Sequence, residues 1–227
     1  MRKAIGILLI ATLAFAGCQK EIEDPSSSTN NNGNNNGNNN TQDSYHPLSV
    51  GSWWKWKDSA SGSVTTNTVL SITKTINNIT FNGMLGSANG RLDTGWAASP
   101  KPNYYYAAKG ASPAGATFDL LFHYLNDTAA VGYTWEYNAG QGNGFTAKMK
   151  TTIIAKNLSL SVEGKNYTNV IQTRMLMSYD IFGTPMEFGS YDYFVAKGVG
   201  IIRIRSKLGA FGTSFEACSN LIDHKIM

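Results

Sequence analysis

Side chains that commonly act in catalysis are few in this sequence and widely separated. The histidines are His46, His123 and His224, and none has a second histidine at the H-x-x-x-H spacing that joins two metal ligands. The sequence contains no G-x-S-x-G motif for a nucleophilic serine and no phosphate-binding glycine loop. It therefore predicts no metal site and no cofactor, and it predicts a protein that is not an enzyme.

Carboxylates leave one enzymatic alternative open. Glycoside hydrolysis needs two carboxyl groups about 5 to 10 Å apart across a cleft. Such a pair could be assembled from Asp180, Glu187, Asp192 or Glu136. Because the sequence does not show which of these lie together in space, a hydrolase stays as an alternative.

Aromatic side chains form a second group that could contact a ligand, because aromatic faces pack against the apolar faces of sugar rings. In the stretch 53–56, Trp54 and Trp56 share one face of a predicted strand and Trp53 occupies the other. We expect Trp53 to contact a ligand if its face is open to solvent, and to be core if a second layer covers it. A Pro- and Gly-containing connection, which caps the sheet or carries a site, supplies further candidates: Trp96, Tyr104, Tyr105 and Tyr106.

A basic stripe near the end of the chain has two interpretations. Arg203, Arg205 and Lys207 alternate with Ile202 and Ile204, so the three cations share one face of a strand. That face could hold an anionic ligand. It could also belong to a solvated edge strand, where charge discourages the addition of a further strand.

The chain begins with a pattern typical of an export signal. Arg2 and Lys3 precede an apolar segment, 4–17, of about 14 residues, which is too short to cross ~30 Å of hydrocarbon as a helix. The stretch "FAGC" ending at Cys18 resembles the lipobox of bacterial lipoproteins, although Phe15 stands where Leu is usual. The resemblance implies that residues 1–17 are removed and that Cys18 is acylated as a membrane anchor. An ordinary secretory signal with an incidental cysteine is the alternative.

Residues 18–44 are expected to form the lipidated cysteine and a disordered tether. The tract Pro25 to Ser44 contains no aliphatic or aromatic residue, so it cannot bury enough apolar surface to offset the entropy of ordering. A flexible coil of about 26 residues has a root-mean-square reach of about 28 Å. The run "QKEIED" after Cys18 resembles signals that direct lipoproteins of the Bacteroidetes to the cell surface.

Composition describes a nearly neutral mature chain that is rich in strand-forming residues. The full chain of 227 residues has 19 basic and 15 acidic residues, and loss of Arg2 and Lys3 would leave 17 against 15, a net charge of +2. So small an excess does not predict nucleic-acid binding. Abundant Thr, Ser, Tyr and Val between Gly- and Asn-containing turns favour strands over helices.

An internal similarity divides the remaining chain, 45–227, into two halves at about 48–125 and 129–227. "VGSWWKWK" at 50–57 matches "VGYTWEYN" at 131–138 with an offset of eighty-one residues, and the same offset without a gap keeps apolar parity along the next strand. We therefore predict an all-β domain. Its two halves are antiparallel meanders from an internal repeat, packed as a sandwich or curled into a half-barrel.

Two short motifs bracket this domain and resemble a known family. "YHPLSVGSWWKW" is similar to the YxPLxxGxxWxY opening, and "YFVAKGVGIIRI" to the YxxAxGVGxI closing, of small Bacteroidetes lipoproteins of unknown function. The resemblance implies a signal-anchored β domain. It implies no reaction and no catalytic residue.

Together these features predict a lipid-anchored protein of the outer membrane that binds a partner. The domain is expected to bind a glycan or a protein, and to be displayed on the cell surface, with the periplasmic leaflet as the alternative. A periplasmic carrier, whose half-barrel holds an acyl chain on a concave apolar face, is a second possibility. The hydrolase is the third.

Overall fold

Twelve β-strands make up the fold of the described residues. The computed structural model describes residues 43–88, 90–111, 117–142, 145–181, 183–210 and 213–227, so the leader, Cys18 and the tether up to residue 42 lie outside it. The described part contains no helix long and apolar enough to cross a membrane. In chain order the strands are β1 (Trp53–Asp58), β2 (Val64–Ile76), β3 (Ile79–Ala88), β4 (Arg91–Ala98), β5 (Asn103–Ala111), β6 (Thr117–Asn126), β7 (Thr134–Gly142), β8 (Phe145–Val162), β9 (Lys165–Ile181), β10 (Thr184–Ala196), β11 (Gly200–Ala210) and β12 (Thr213–Lys225).

All twelve strands belong to one antiparallel sheet. Its order is β6-β5-β4-β3-β2-β1-β12-β11-β10-β9-β8-β7, so each half of the chain forms a meander of six strands. The two meanders are joined where β1 pairs with β12, with Trp53 opposite Lys225. The sheet curls until β6 approaches β7, which makes it nearly closed and barrel-like. The prediction of an all-β fold of antiparallel meanders is confirmed.

Apolar side chains fill the inside of the curled sheet, and β9 shows how the sequence produces this. Alternate residues of β9 from Ile171 to Tyr179 are buried, while those between them are partly or fully exposed. Burial of each large apolar side chain stabilises the folded state by about 1.5–3 kcal/mol relative to leaving that side chain exposed. The main core cluster includes Tyr104, Tyr124, Leu125, Met149, Ile153, Ile171, Met175 and Val195.

Equivalent turns open the two meanders, but the register of the repeat differs from the prediction. Gly51 N–H donates to Val69 O at 3.0 Å, and Gly132 N–H donates to Ile153 O at 2.8 Å. Both glycines have positive φ, 85° and 86°, a conformation that L side chains rarely adopt. The contacting residues are 18 positions apart in the first half (69 minus 51) and 21 in the second (153 minus 132). The offset of eighty-one therefore holds for the first strand only, because the second hairpin is three residues longer.

Side chains close the sheet where its two edge strands meet. No backbone ladder joins β6 to β7 among the residues described. Instead, His123 N–H of β6 donates to the Tyr137 hydroxyl of β7 at 2.6 Å. The His123 carbonyl accepts from Trp135 Nε1 at 3.3 Å and from Thr151 Oγ1 of β8 at 3.2 Å. Buried backbone groups need partners, and here side chains of neighbouring strands supply them.

The same mode of closure continues along β6 toward its end. Thr173 Oγ1 of β9 donates to the Tyr124 carbonyl at 2.8 Å. Beyond the end of β6, Lys156 Nζ of β8 donates to Asp127 O at 2.8 Å and to Ala129 O at 3.0 Å. We call this set of bonds, from the main chain of residues 123–129 to side chains of β7, β8 and β9, the seam.

The tip of the long β8–β9 hairpin folds over the outer face of the sheet. Neighbouring residues of β10 belong to different apolar clusters, Tyr193 to the inner one and Phe194 to a second one. The second cluster contains Val162 and Tyr167 from the hairpin, with exposed fractions of 0% and 7%. Part of the sheet is therefore covered on both faces.

Arg203 and Arg205 of the basic stripe of β11 lie within this covered region, whereas Lys207 is exposed and pairs with Glu216 at 3.3 Å. Arg203 is only 7% exposed, and its Nε donates to Asn220 Oδ1 at 2.9 Å. The Arg205 guanidinium carbon lies 5.2 Å from the centroid of the Phe194 ring. The interpretation of the stripe as a solvated edge is wrong, because β11 is an interior strand between β10 and β12.

Replacing Thr173 by Val tests the energetic role of the seam. The change removes the hydroxyl that donates to the Tyr124 carbonyl at a fully buried position. We expect the free energy of unfolding to fall by about 1–3 kcal/mol, because a buried acceptor loses its donor. Urea denaturation followed by tryptophan fluorescence measures the change.

The matched control for this prediction is Thr168→Val, at an exposed position of the same strand. It should alter stability by less than about 0.5 kcal/mol. Equal losses in the two variants would show that the seam hydroxyl has no special role.

Candidate functional site

A buried histidine and two tyrosines lie beneath the end of the sheet at which the described chain starts. His46 is 1% exposed, and its Nδ1 and Nε2 lie 2.8 Å from the Tyr124 hydroxyl and 3.2 Å from the Tyr106 hydroxyl. Its ring also contacts Trp54 edge-on, with centroids 5.3 Å apart. Burial lowers the pKa of His46 to about 3, so the imidazole is neutral at physiological pH. One ring nitrogen of the neutral imidazole then accepts a hydrogen bond from one tyrosine hydroxyl. The other ring nitrogen donates its N–H to the oxygen of the second tyrosine.

A short chain of hydrogen bonds runs from the main chain next to His46 to the carboxylate of Asp127. Tyr45 N–H donates to the Tyr104 hydroxyl at 3.2 Å, and that hydroxyl donates to Asp127 Oδ2 at 2.8 Å. Burial raises the pKa of Tyr104 well above its ordinary value, which keeps it a donor. One carboxylate oxygen of Asp127 is thus held by a hydrogen bond from the buried Tyr104 hydroxyl.

Directly above these residues is an open cleft of about 620 Å³ at the end of the sheet. We call it the Asp43 cleft. Its walls come from the start of the described chain, the β4–β5 and β10–β11 turns, the segment after β6, and the middle of β8. Its lining residues are Asp43, Tyr45, Lys101, Pro102, Asp127, Thr128, Lys156, Asn157 and Lys197.

Two lysines of the Asp43 cleft converge on one carboxylate. Lys197 Nζ lies 2.6 Å from Asp43 Oδ1, and Lys101 Nζ lies 3.2 Å from Asp43 Oδ2. The hydrogen bond from Lys197, followed by that from Lys101, lowers the pKa of Asp43. The same bond to Asp43 raises the pKa of Lys197. Because all three side chains are between 39% and 50% exposed, solvent screens both ion pairs and each contributes little to the stability of the fold.

Lys156 gives the cleft a third ammonium group. It donates to the carbonyls of Asp127 and Ala129, so it belongs to both the seam and the cleft. An ammonium has three donors, and these bonds use two of them. The lining residues therefore present three lysines against two aspartates, an excess of one positive charge.

The second histidine of the interior belongs to the seam. His123 stacks on Tyr105 with centroids 4.4 Å apart, contacts Trp135 at 4.9 Å, and has Nε2 3.0 Å from Asn103 Oδ1. Burial lowers its pKa to about 4. Among the described residues there is no group of three or more His, Cys, Asp or Glu that could hold a metal ion.

The structure separates the aromatic residues that the sequence singled out. Tyr104 is 0% exposed and Tyr106 contacts the buried His46, which disfavours direct ligand contact at these two side chains. Trp96 and Tyr105 are partly buried beside Phe81, in a small cluster of their own.

Trp53 lies apart from all of these residues. It is partly buried on β1, between Thr68 of β2 and Lys225 of β12, while Trp54 is buried behind it. A ligand role for Trp53 stays a prediction. Cys18, the predicted lipidation site, lies outside the described residues.

Sequence reasoning missed the Asp43 cleft. Lys101 stands in the Pro-containing connection that was singled out, but only for its aromatic residues. Asp43 was assigned to the tether, and Lys156 has no distinguishing local pattern. These residues come together because the sheet closes, and no local signal records that closure.

Comparison with known proteins gives similarity of fold only. No protein-family model matches the chain, and no curated protein sequence matches it. A solved protein from Bacteroides fragilis with a YmcC-like fold, proposed to be exported, is similar at a TM-score of 0.47 and 10% identity, covering 80% of this chain and 99% of its own. A proposed lipoprotein from Parabacteroides distasonis is similar at 0.46 and 10%, covering 80% and 98%. Similarity this low supports no conclusion about activity or location.

Acid should destabilise the domain through its buried histidines. The pKa of His46 is about 3 in the fold against an ordinary 6.5, so between these values the unfolded chain takes up a proton that the folded chain does not. The contribution of His46 to the free energy of unfolding is fully present above pH 6.5 and is lost as the pH falls toward 3. At pH 5 the loss through His46 is about 2 kcal/mol, at 1.36 kcal/mol per pH unit. His123 adds a loss in the same direction.

Urea denaturation at a series of pH values between 8 and 5 measures this dependence. The variant His46→Asn should show a shallower decline, because one of the histidines whose pKa is lowered by burial is gone. A decline as steep as that of the unaltered protein would contradict the assignment to His46.

Proposed function

We propose that this protein is an exported lipoprotein whose β domain binds a ligand and catalyses no reaction. The leader, the "FAGC" stretch and the acidic run after Cys18 support acylation of that cysteine and display on the outer membrane. Surface display is proposed ahead of the periplasmic leaflet.

Growth of the producing bacterium with a labelled fatty acid tests the anchor. Label should be incorporated into the protein and should be absent from the Cys18→Ala variant, which should also leave the membrane fraction. Cys218→Ala is the matched control, because that buried cysteine belongs to the folded domain and should leave labelling unchanged. Equal labelling of the Cys18→Ala variant would contradict lipidation at that residue.

The placement of the histidines supports binding rather than catalysis. His46 is enclosed by aromatic rings and His123 is held in the seam, so both serve the packing of the fold. Three of the four carboxylates that could have formed a hydrolytic pair are engaged with cations, including Glu136, which pairs with Lys150 at 2.9 Å. Asp180 pairs with Lys148 at 3.1 Å, and Asp192 pairs with Arg174 at 2.7 Å.

The acyl-carrier alternative has less support than ligand binding at the surface. A carrier needs a concave apolar face that is open to a fatty-acid chain. Here the inside of the curled sheet is filled by its own side chains, with Tyr124, Leu125 and Ile171 at 0% exposed.

We propose that Trp53, which lies on the opposite face of β1 from the buried Trp54, contacts a glycan or a protein partner. If this is correct, Trp53→Ala should weaken binding of a glycan identified from a broad panel by at least about tenfold. Isothermal titration calorimetry measures the affinity without relying on tryptophan emission. Tyr133→Ala is the control, because Tyr133 is a 54% exposed aromatic residue on the other meander. Binding that Trp53→Ala leaves intact would place the glycan elsewhere.

A further inference from the structure

We propose that the Asp43 cleft binds the carboxylate of an acidic sugar, and that Asp43 occupies this position when no ligand is present. The inference rests on the proposed function, ligand binding by the β domain, and adds a site and a ligand class to it. The site is distinct from Trp53.

The first observation is the arrangement of charge around Asp43. Lys197 and Lys101 each approach a different oxygen of its carboxylate, at 2.6 and 3.2 Å. Two ammonium groups converging on the two oxygens of one carboxylate are a geometry that recognises carboxylates in general. The position that Asp43 fills can therefore accept the same group from a ligand.

The second observation is that Asp43 is weakly held, by two ion pairs that are both partly exposed. Its side chain is 50% exposed, and exposed ion pairs contribute little to stability. The side chain can therefore move out of the cleft at small cost. Its departure would change the balance of the lining from three lysines and two aspartates to three lysines and one aspartate.

The third observation is the presence of further polar groups among the residues that line the cleft. Lys156 has a donor beyond the two that bond to the Asp127 and Ala129 carbonyls, and Thr128 and Asn157 lie beside it. Hydroxyl and amide groups around a charged position suit a ligand with many hydroxyl groups. Tyr45 and Pro102 supply the apolar part of the lining. A uronic acid fits this lining best.

Titration of the full chain with D-glucuronate, D-glucose and acetate at low ionic strength tests the proposal. Backbone amide shifts of Lys197 and Gly198 in NMR spectra report binding at the cleft. We expect glucuronate to bind more tightly than acetate, and glucose to cause no shift at these amides.

Substitutions identify the groups responsible. Asp43→Asn should tighten glucuronate binding by about 3- to 10-fold, since it removes the competing carboxylate. In that background, Lys197→Gln should weaken binding by at least about fivefold. Lys109→Gln is the matched control, because Lys109 pairs with Asp119 on the exposed β5–β6 surface and should leave binding unchanged.

Two results would overturn the proposal. Absence of glucuronate shifts in the Asp43→Asn variant would exclude a carboxylate site, and equal affinity for acetate and glucuronate would exclude recognition of the sugar. Neither result bears on a glycan that binds through Trp53, so failure of this inference can be told from failure of the proposed function.

Discussion

Closure of the sheet by side chains rather than by a backbone ladder is the constraint on which the rest of the molecule depends. A meander of twelve strands has two edges, and each edge exposes N–H and C=O groups that need partners. At the seam, Tyr137, Trp135 and Thr151 supply partners to the main chain of His123. With the bond from Thr173 to the Tyr124 carbonyl, the main-chain groups of β6 at these two residues have partners within the protein.

This closure also determines what lies inside the sheet and at its end. With β6 held against β7, β8 and β9, the ring of Tyr124 is buried beside Tyr193 and His46. Lys156 reaches from β8 to the carbonyls after β6, and so becomes a wall of the Asp43 cleft. The cleft is therefore a consequence of the way in which the two meanders meet.

Local patterns in the sequence predicted the strands but not their closure. Alternation of apolar residues correctly placed Trp54 inside, and the repeat correctly indicated two meanders that start with equivalent turns. The exact register of the repeat failed because hairpin length can change by three residues without disturbing the first strand. Burial of Arg203 could not be read from its own strand, since it depends on the β8–β9 hairpin, whose tip lies about forty residues earlier in the chain and folds back.

The candidate site shows the same contrast between local patterns, which the sequence displays, and contacts between distant residues, which it does not. Aromatic residues are conspicuous in sequence, yet Tyr104 and Tyr106 serve the interior, where they hydrogen-bond to Asp127 and His46. Lysines are inconspicuous, and Lys101 and Lys197 become neighbours only because two turns lie at one end of a curled sheet. Contacts between residues distant in the chain are fixed by topology, which short patterns do not encode.

Amide hydrogen exchange at His123 tests the seam most directly. If the Tyr137 hydroxyl accepts a hydrogen bond from the His123 N–H, this amide should exchange slowly in the native protein. The substitution Tyr137→Phe should accelerate its exchange by at least about tenfold, which is equivalent to about 1.4 kcal/mol. The amide of Thr173, in the interior of β9, should be unaffected by the substitution. Rapid exchange of the His123 amide in the unaltered protein, or a rate unchanged by Tyr137→Phe, would contradict closure of the sheet by these side chains.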